Sequence, residues 1–236
     1  MFGVYQIPFC VEAKGITIQV VSGNSLSTYT RISPEGKIAK QLGYGKGKVI
    51  INPVEPVNLP SEVTGMLEFH FTPVAVRPGS TITLYLKFPV EIGVFVGDDE
   101  NYTLIDVFSL AKAKYSLYGT PEKGFITRHV ECEVFESEPS TEPLEEGVLT
   151  LSLNNSSRDW IEVSRAVFEG STMRLFYGNC VAMTGEMEVL SRAIAVTRIH
   201  NTGSKDAMKP AIRVYPTRKS LIPEKLFFVM EYGVGD

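Results

Sequence analysis

Cysteine is scarce in this 236-residue chain, and its three copies, Cys10, Cys132 and Cys180, lie far apart. Their odd number and wide spacing argue against a disulfide framework, and no C-x-x-C metal motif is present. Sparse thiols are typical of a reducing compartment, so we expect a cytoplasmic protein with reduced cysteines. Cys132 alternates with Val130 and Val134, which predicts that its thiol is buried in an apolar core.

A strong excess of one charge and long apolar runs are also missing. The formal net charge is −4, whereas a dedicated nucleic-acid-binding protein normally carries a strong basic excess, so we expect no such partner. A membrane-spanning helix needs about 20 apolar residues. The longest near-apolar run, residues 88–97, is far shorter and contains Glu91. We therefore expect no membrane span. Residues 1–8 also lack the order of a signal peptide, in which a basic region precedes an apolar one.

Recognisable catalytic motifs are absent from the sequence as well. It contains no G-x-S-x-G nucleophile motif, and none of its three histidines has H-x-H or H-E-x-x-H spacing. The sequence therefore predicts no metal centre, no cofactor and no catalytic residue. This pattern favours a non-catalytic binding or assembly module, whose partner is another protein or a second copy of the chain.

What the sequence does contain is alternation with a period of two residues. Apolar side chains occupy every second position over 66–72 and 81–88, and the signal recurs farther on; they are Leu67, Phe69, Phe71, Ile82, Leu84, Leu86, Ile126, Val130, Cys132, Val134, Leu149, Leu151 and Leu153. Such alternation places one side of a strand on a core. Short strands between turn signals predict an all-β protein with little helix, built as two immunoglobulin-like antiparallel β-sandwiches. We expect 66–72 and 81–88 to be neighbouring antiparallel strands.

The chain length suits two domains of about 100 to 130 residues each. Two polar stretches could divide the chain, residues 97–101 and the acidic stretch 136–146. A domain boundary within 136–146 would separate a predicted hairpin at 115–135 from the rest of the second domain, so we place the boundary near residue 105. The predicted domains are residues 1–105 and 106–236, with 136–146 as an exposed acidic loop of the second.

Three stretches carry a resemblance to a known family. They are Asn-Pro-Val-Glu-Pro-Val-Asn-Leu-Pro at 52–60, Phe-Pro-Val-Glu-Ile-Gly-Val-Phe at 88–95 and Lys-Tyr-Ser-Leu-Tyr-Gly at 114–119. In these stretches the chain resembles an archaeal family known as domain of unknown function 432, most clearly over residues 50–135. The resemblance implies an archaeal, cytoplasmic origin, and it supplies no activity, cofactor or catalytic residue.

A loop that alternates glycine with lysine is the first candidate site. Backbone N–H groups and ammonium ions of Gly45, Lys46, Gly47 and Lys48 can approach a small anion closely. The G-x-x-x-x-G-K-[ST] spacing of a P-loop is absent. The pattern favours a glycine-rich hairpin with solvated lysines, and contact with an anion is the alternative.

Glu91 and His129 form the second candidate site. Glu91 interrupts an apolar run, so its carboxylate must face outward, pair with a base or line a pocket. His129 lies on the polar side of a predicted strand, where an imidazole can bind metal or shuttle protons. These residues define the enzyme alternative, a hydrolase-like or metal- or anion-dependent enzyme with its site in a cleft between domains. A paired glutamate and an exposed histidine are the simpler interpretation.

Charges segregate along the second half of the chain. Residues 131–146 carry seven acids and no base, whereas residues 192–219 carry seven bases and one acid. Opposed segments of this kind can complement each other within one chain or between two copies. An oligomer built mainly on such pairs is expected to weaken as salt rises. An ordinary mixed surface is the alternative.

Overall fold

The computed structural model describes residues 1–43, 47–59, 64–98, 101–201, 207–214 and 227–234. Regular structure in these residues is almost all β-strand, and its helical content is one 3-10 turn at Gly170–Thr172. The predicted all-β class is confirmed. Within these ranges no helix has the length and apolarity needed to cross a bilayer.

The N-terminal part of the chain contributes to two sheets. The first, called the β6 sheet, has the order β1 (Gly3–Gln6), β6 (Lys48–Val54), β9 (Glu91–Asp98) and β10 (Asn101–Ser109). The second, the meander sheet, has the order β2 (Phe9–Ala13), β3 (Ile16–Ser22), β4 (Ser27–Ser33) and β5 (Gly36–Leu42). Lys14 and Gly15 both have positive φ and form the two-residue turn between β2 and β3, as a type I′ hairpin requires.

A buried polar cluster joins the meander sheet to β10. The Tyr29 hydroxyl and the Arg31 Nε–H both donate to Oδ2 of Asp106, at 2.6 and 2.7 Å. All three side chains are buried, and Tyr29 and Arg31 share a face of β4 because they lie two residues apart. Burial, followed by the Asp106 carboxylate, raises the pKa of Tyr29.

A third sheet, called the mixed sheet, contains a parallel pair. Its order is β11 (Tyr115–Tyr118), β12 (Phe125–Cys132), β7 (Met66–Val76) and β15 (Ile161–Glu169). β7 runs parallel to β12 and antiparallel to β15. Leu67 and Phe69 are buried on one face, where the Phe69 ring meets Phe168 edge to face at 6.0 Å between centroids.

The fourth sheet has eight strands. Its main path is β13 (Val134–Phe135), β8 (Thr81–Pro89), β14 (Glu146–Asn155), β17 (Val181–Ser191), β16 (Phe176–Tyr177) and β19 (Lys209–Pro210), and β18 (Ile194–His200) joins β17 to β20 (Phe228–Met230). β14 and β17 are parallel over nine residue pairs. Gly185 of β17 lies against the Phe168 ring of the mixed sheet, where a Cβ would come within 3.1 Å of the ring. The two sheets therefore pack face to face.

The expected pairing of residues 66–72 with 81–88 is wrong. Both segments are strands, and Leu67, Phe69, Leu84 and Leu86 are buried as predicted. β7 lies in the mixed sheet between β12 and β15, however, whereas β8 lies in the eight-stranded sheet beside β13 and β14. The two parallel pairs also depart from a purely antiparallel sandwich. An immunoglobulin-like strand order stays a prediction.

The chain divides into two compact units, each made of two segments. The first comprises residues 1–52 and 92–107, and the second comprises residues 53–91 and 108–236. The meander sheet belongs to the first unit, and the mixed and eight-stranded sheets belong to the second. Two consecutive domains with a boundary near residue 105 stay a prediction.

Candidate functional site

A cleft of about 700 Å³ opens in the second unit, where the chain passes from β12 of the mixed sheet to β13 of the eight-stranded sheet. Its apolar lining comes from three segments of the chain and comprises Phe88, Pro89, Leu110, Ala111, Val130 and Phe135. The backbone N–H of Val90 donates to the Glu145 carbonyl at 2.9 Å, which ties the end of β8 to the start of β14 beside the cleft. The lining is therefore held by paired strands.

Four carboxylates and one ammonium group line the same cleft. The carboxylates are those of Glu131, Glu133, Glu145 and Glu146, and the base is Lys87. Lys87 Nζ lies 2.8 Å from Oε2 of Glu146 and 5.8 Å from the centre of the Phe135 ring. With all five groups ionised, one positive and four negative charges leave a net charge of −3 on the lining. The end of the stretch 136–146, predicted as an exposed acidic loop, thus lines the cleft through Glu145 and Glu146.

Cys132 is the nucleophilic side chain among the cleft residues. The thiol is half-buried, and its Sγ lies 3.8 Å from the His70 carbonyl oxygen, to which it donates. Burial and the nearby Glu131 carboxylate raise the pKa of Cys132 to about 12. The thiol is therefore protonated at neutral pH and is a poor nucleophile there.

We expect Cys132 to react with iodoacetamide at pH 7.5 at least about tenfold more slowly than Cys10, because its thiolate is scarce and its sulfur is shielded. Cys10 is exposed in the same chain and is the internal control. Peptide mapping by mass spectrometry measures both rates in the native protein. In guanidinium chloride the two rates should converge, whereas equal rates in the native protein would contradict the buried-thiol geometry.

Glu91 and Arg128 form a buried ion pair in the second unit. Glu91 has no exposed surface, and Arg128 is 1% exposed. Glu91 Oε1 lies 3.8 Å from Arg128 Nη1, and Glu91 Oε2 accepts the Asn58 backbone N–H at 2.9 Å. Arg128 Nη1 also donates to the Leu59 carbonyl at 3.0 Å, and its guanidinium lies over the ring of Tyr115. The pair therefore anchors the segment that follows β6.

The buried pair is incompletely satisfied. Within the described residues Glu91 Oε1, Arg128 Nε and Arg128 Nη2 have no hydrogen-bond partner. Burial is the main cause that raises the pKa of Glu91 to about 7, and the Asn58 N–H and the Arg128 charge oppose it. Glu91 thus ionises near neutral pH, where an ordinary glutamate is already fully charged.

The two residues of the predicted second site face different surroundings. Glu91 meets Arg128, whereas His129 is the next residue along β12 and therefore points to the opposite face. On that face the His129 ring lies 5.8 Å from the ring of His70. Pairing with a base was one alternative for Glu91. A catalytic role for Glu91 with His129 stays a prediction.

Half of the predicted anion site falls outside the described residues. Gly45 and Lys46 lie outside them. The carbonyl of Gly47 accepts the Ile7 backbone N–H at 3.1 Å, and Lys48 begins β6 opposite Gln6. Anion binding at this loop stays a prediction.

A buried carboxylate on the mixed sheet was missed by the sequence pattern, which placed Glu68 on a solvent face. Its Oε2 accepts hydrogen bonds from the Ser116 and Thr127 hydroxyls, both at 2.6 Å. Arg165 Nη1 lies 3.6 Å from Glu68 Oε1. Farther along this face the Tyr118 hydroxyl accepts backbone N–H groups from residues 231 and 232. The C-terminal segment thus covers part of a face that alternation predicts to be open.

Two of the segregated bases pair with carboxylates close to them in the fold. Arg192 Nε lies 3.3 Å from Oδ2 of Asp159, and Arg198 Nη1 lies 3.5 Å from Oε2 of Glu188. Neither partner belongs to the acidic stretch 131–146. Lys205, Arg218 and Lys219 lie outside the described residues. Complementarity between two copies of the chain stays a prediction.

Comparison with known proteins gives a match to a protein family. A family described as "Protein of unknown function (DUF432)" matches residues 1–231. No curated protein and no solved structure matches the chain. In the part of the chain that the structure describes, no group of three or more His, Cys, Asp and Glu side chains is arranged to hold a metal ion.

Proposed function

Since the chain belongs to the DUF432 family, whose description names no activity, we propose from its own geometry that it is a non-catalytic binding module. The observation that carries the proposal is the 700 Å³ cleft, which combines an apolar floor with four carboxylates. Clefts of 300 to 1,000 Å³ are the usual size of ligand sites, and a few polar groups in them fix orientation. A cytoplasmic location and an archaeal source remain proposals beside this one.

The chemistry of the lining selects a cation that carries an apolar group. A net charge of −3 on the lining attracts positive charge. Phe88 and Phe135 offer aromatic surface, on which an alkyl or aromatic stem buries area at about 25 cal/mol per Å². A lysine- and phenylalanine-containing segment of a partner protein supplies both features.

Binding without catalysis agrees with the state of the groups in the cleft. The thiol of Cys132 is held protonated by burial, so it offers no nucleophile at neutral pH. Lys87 lies within 2.8 Å of Glu146 and is therefore engaged in an ion pair. These groups favour recognition of a charged ligand over chemistry on it.

We expect the peptide Lys-Phe-Lys-Phe to bind the protein saturably, and its lysine-acetylated form to bind at least about tenfold more weakly, because acetylation removes the charges that the cleft recognises. Isothermal titration at low and high salt measures both affinities. The variant Glu131→Gln/Glu133→Gln should weaken binding of the cationic peptide by about tenfold or more.

The matched control is Glu136→Gln/Glu138→Gln, which changes the net charge equally on exposed residues that do not line the cleft. It should leave the affinity within about twofold, since screened surface charges act weakly. Equal losses of affinity in the two variants would show that the peptide responds only to the net charge of the protein and not to the cleft. Equal binding of the acetylated and cationic peptides would contradict the proposed ligand class.

A further inference from the structure

A second cavity of about 210 Å³ lies apart from the cleft, beside the 3-10 turn and the end of β18. Its lining is Thr172, Arg174, Arg198, Ile199, His200 and Asn201. Two arginines, a histidine and an asparagine thus line one small space, and among the residues that the structure describes no aspartate or glutamate lines it. We call it the basic cavity. Its volume corresponds to roughly seven water molecules at about 30 Å³ each.

Arg174 is held in place by the turn from which it extends. Its Nη1 donates to the Met173 carbonyl at 2.9 Å and to the Ser171 carbonyl at 3.4 Å. The Arg213 guanidinium donates to the same Ser171 carbonyl. Both guanidinium groups also lie near the buried Glu55 carboxylate, whose pKa is raised by burial, the larger effect, and lowered by their positive charges. A guanidinium fixed in this way is organised before a ligand arrives.

The other bases of the basic cavity reach it from β18. Arg198 and His200 lie two residues apart, so they share a face of the strand. Their carboxylate neighbours, Glu188 and Glu186, belong to β17, lie at 3.5 Å and do not line the cavity. Half-exposed pairs of this kind are weak because water screens them, so an anion can compete for the bases.

We propose that the basic cavity binds an oxyanion of the phosphate class, either free phosphate or the phosphate of a small monoester. Arg174 and Arg198 supply paired N–H donors whose geometry matches phosphate oxygens. His200 and Asn201 add ring and amide donors in the same space. The site is independent of the cleft, and it gives a function to part of the basic segment 192–219.

The test is thermal denaturation of the full chain with inorganic phosphate, against chloride at equal ionic strength. Phosphate should raise the melting temperature saturably, because a ligand of the native state stabilises it. Arg198→Gln should weaken the apparent phosphate affinity by about tenfold or more, and Arg198→Lys should restore part of it. Arg192→Gln is the control, since Arg192 carries the same charge in the same segment and does not line the cavity.

Ribose 5-phosphate and inorganic phosphate, titrated separately, distinguish the two sources. Tighter binding of the monoester assigns an organic phosphate, and tighter binding of the inorganic ion assigns free phosphate. A melting temperature that responds equally to phosphate and chloride would overturn the proposal. An equal phosphate response in Arg198→Gln and Arg192→Gln would overturn it as well. Neither result bears on the peptide titration, so the two proposals fail separately.

Discussion

Asp106→Ala is expected to lower the free energy of unfolding by about 3–5 kcal/mol, because it breaks a buried ion pair on one side only. Asp106 Oδ2 accepts from the Tyr29 hydroxyl and from Arg31 Nε, at 2.6 and 2.7 Å, and all three side chains are buried. Removing the carboxylate leaves a buried hydroxyl and a buried guanidinium without the acceptor they share. Chemical denaturation with urea measures the loss.

The same variant tests whether the Asp106 cluster stabilises the whole of the first unit. Faster amide hydrogen exchange should be concentrated in residues 1–52 and 92–107, since these segments form the unit that contains the cluster. Asp159→Ala is the control, because Asp159 pairs with Arg192 at the surface, and its loss should change stability by less than about 1 kcal/mol. A loss below 1 kcal/mol for Asp106→Ala would show that the cluster is not a stabilising one.

Glu91→Gln is expected to gain stability relative to the wild type as pH rises. The native pKa of Glu91 is about 7, against an ordinary value of 4.5. A raised native pKa means that the folded protein holds the proton more tightly. The stability that this tighter proton binding contributes is fully present below pH 4.5 and is lost as pH rises through 7. Glutamine does not titrate. The free energy of unfolding of the wild type minus that of the variant should therefore fall by about 2–3 kcal/mol between pH 5 and pH 9.

Urea denaturation of both proteins across this pH range measures the difference. Glu162→Gln serves as the control, because Glu162 is exposed and its variant should follow the wild type within about 0.5 kcal/mol at every pH. A difference between wild type and Glu91→Gln that is constant from pH 5 to pH 9 would falsify the assignment of a raised pKa to the buried carboxylate.

The period-two alternation predicts where the strands lie in the sequence better than it predicts which strands are adjacent in a sheet. Leu67, Phe69 and Leu86 face a core as their period indicates. Period two reports which side of a strand is buried, and it says nothing of which strand lies beside it. The partners of β7 come from far along the chain, one of them parallel, so nothing local in residues 66–88 indicates them.

The same limit explains why the buried charges were only partly foreseen. Glu91 stands out in the sequence because it interrupts an apolar run, whereas Arg128 is buried at an inward position in phase with Val130 that no sequence signal marks. Ile126, in the same phase, was expected to be inward but is 47% exposed, because it lies at the start of β12 opposite an edge strand. The cleft joins residues from four separate segments, and no spacing in the sequence brings them together.

The two-segment construction of the first unit has a consequence for biosynthesis. β6 emerges from the ribosome long before β9, which is its neighbour in the β6 sheet and follows the whole of β7 and β8. Until β9 is made, one edge of β6 lacks its final partner, and an open apolar edge can pair with another chain. We therefore expect that β9 must be synthesised before the open edge of β6 pairs with another chain, or that a chaperone must cover this edge.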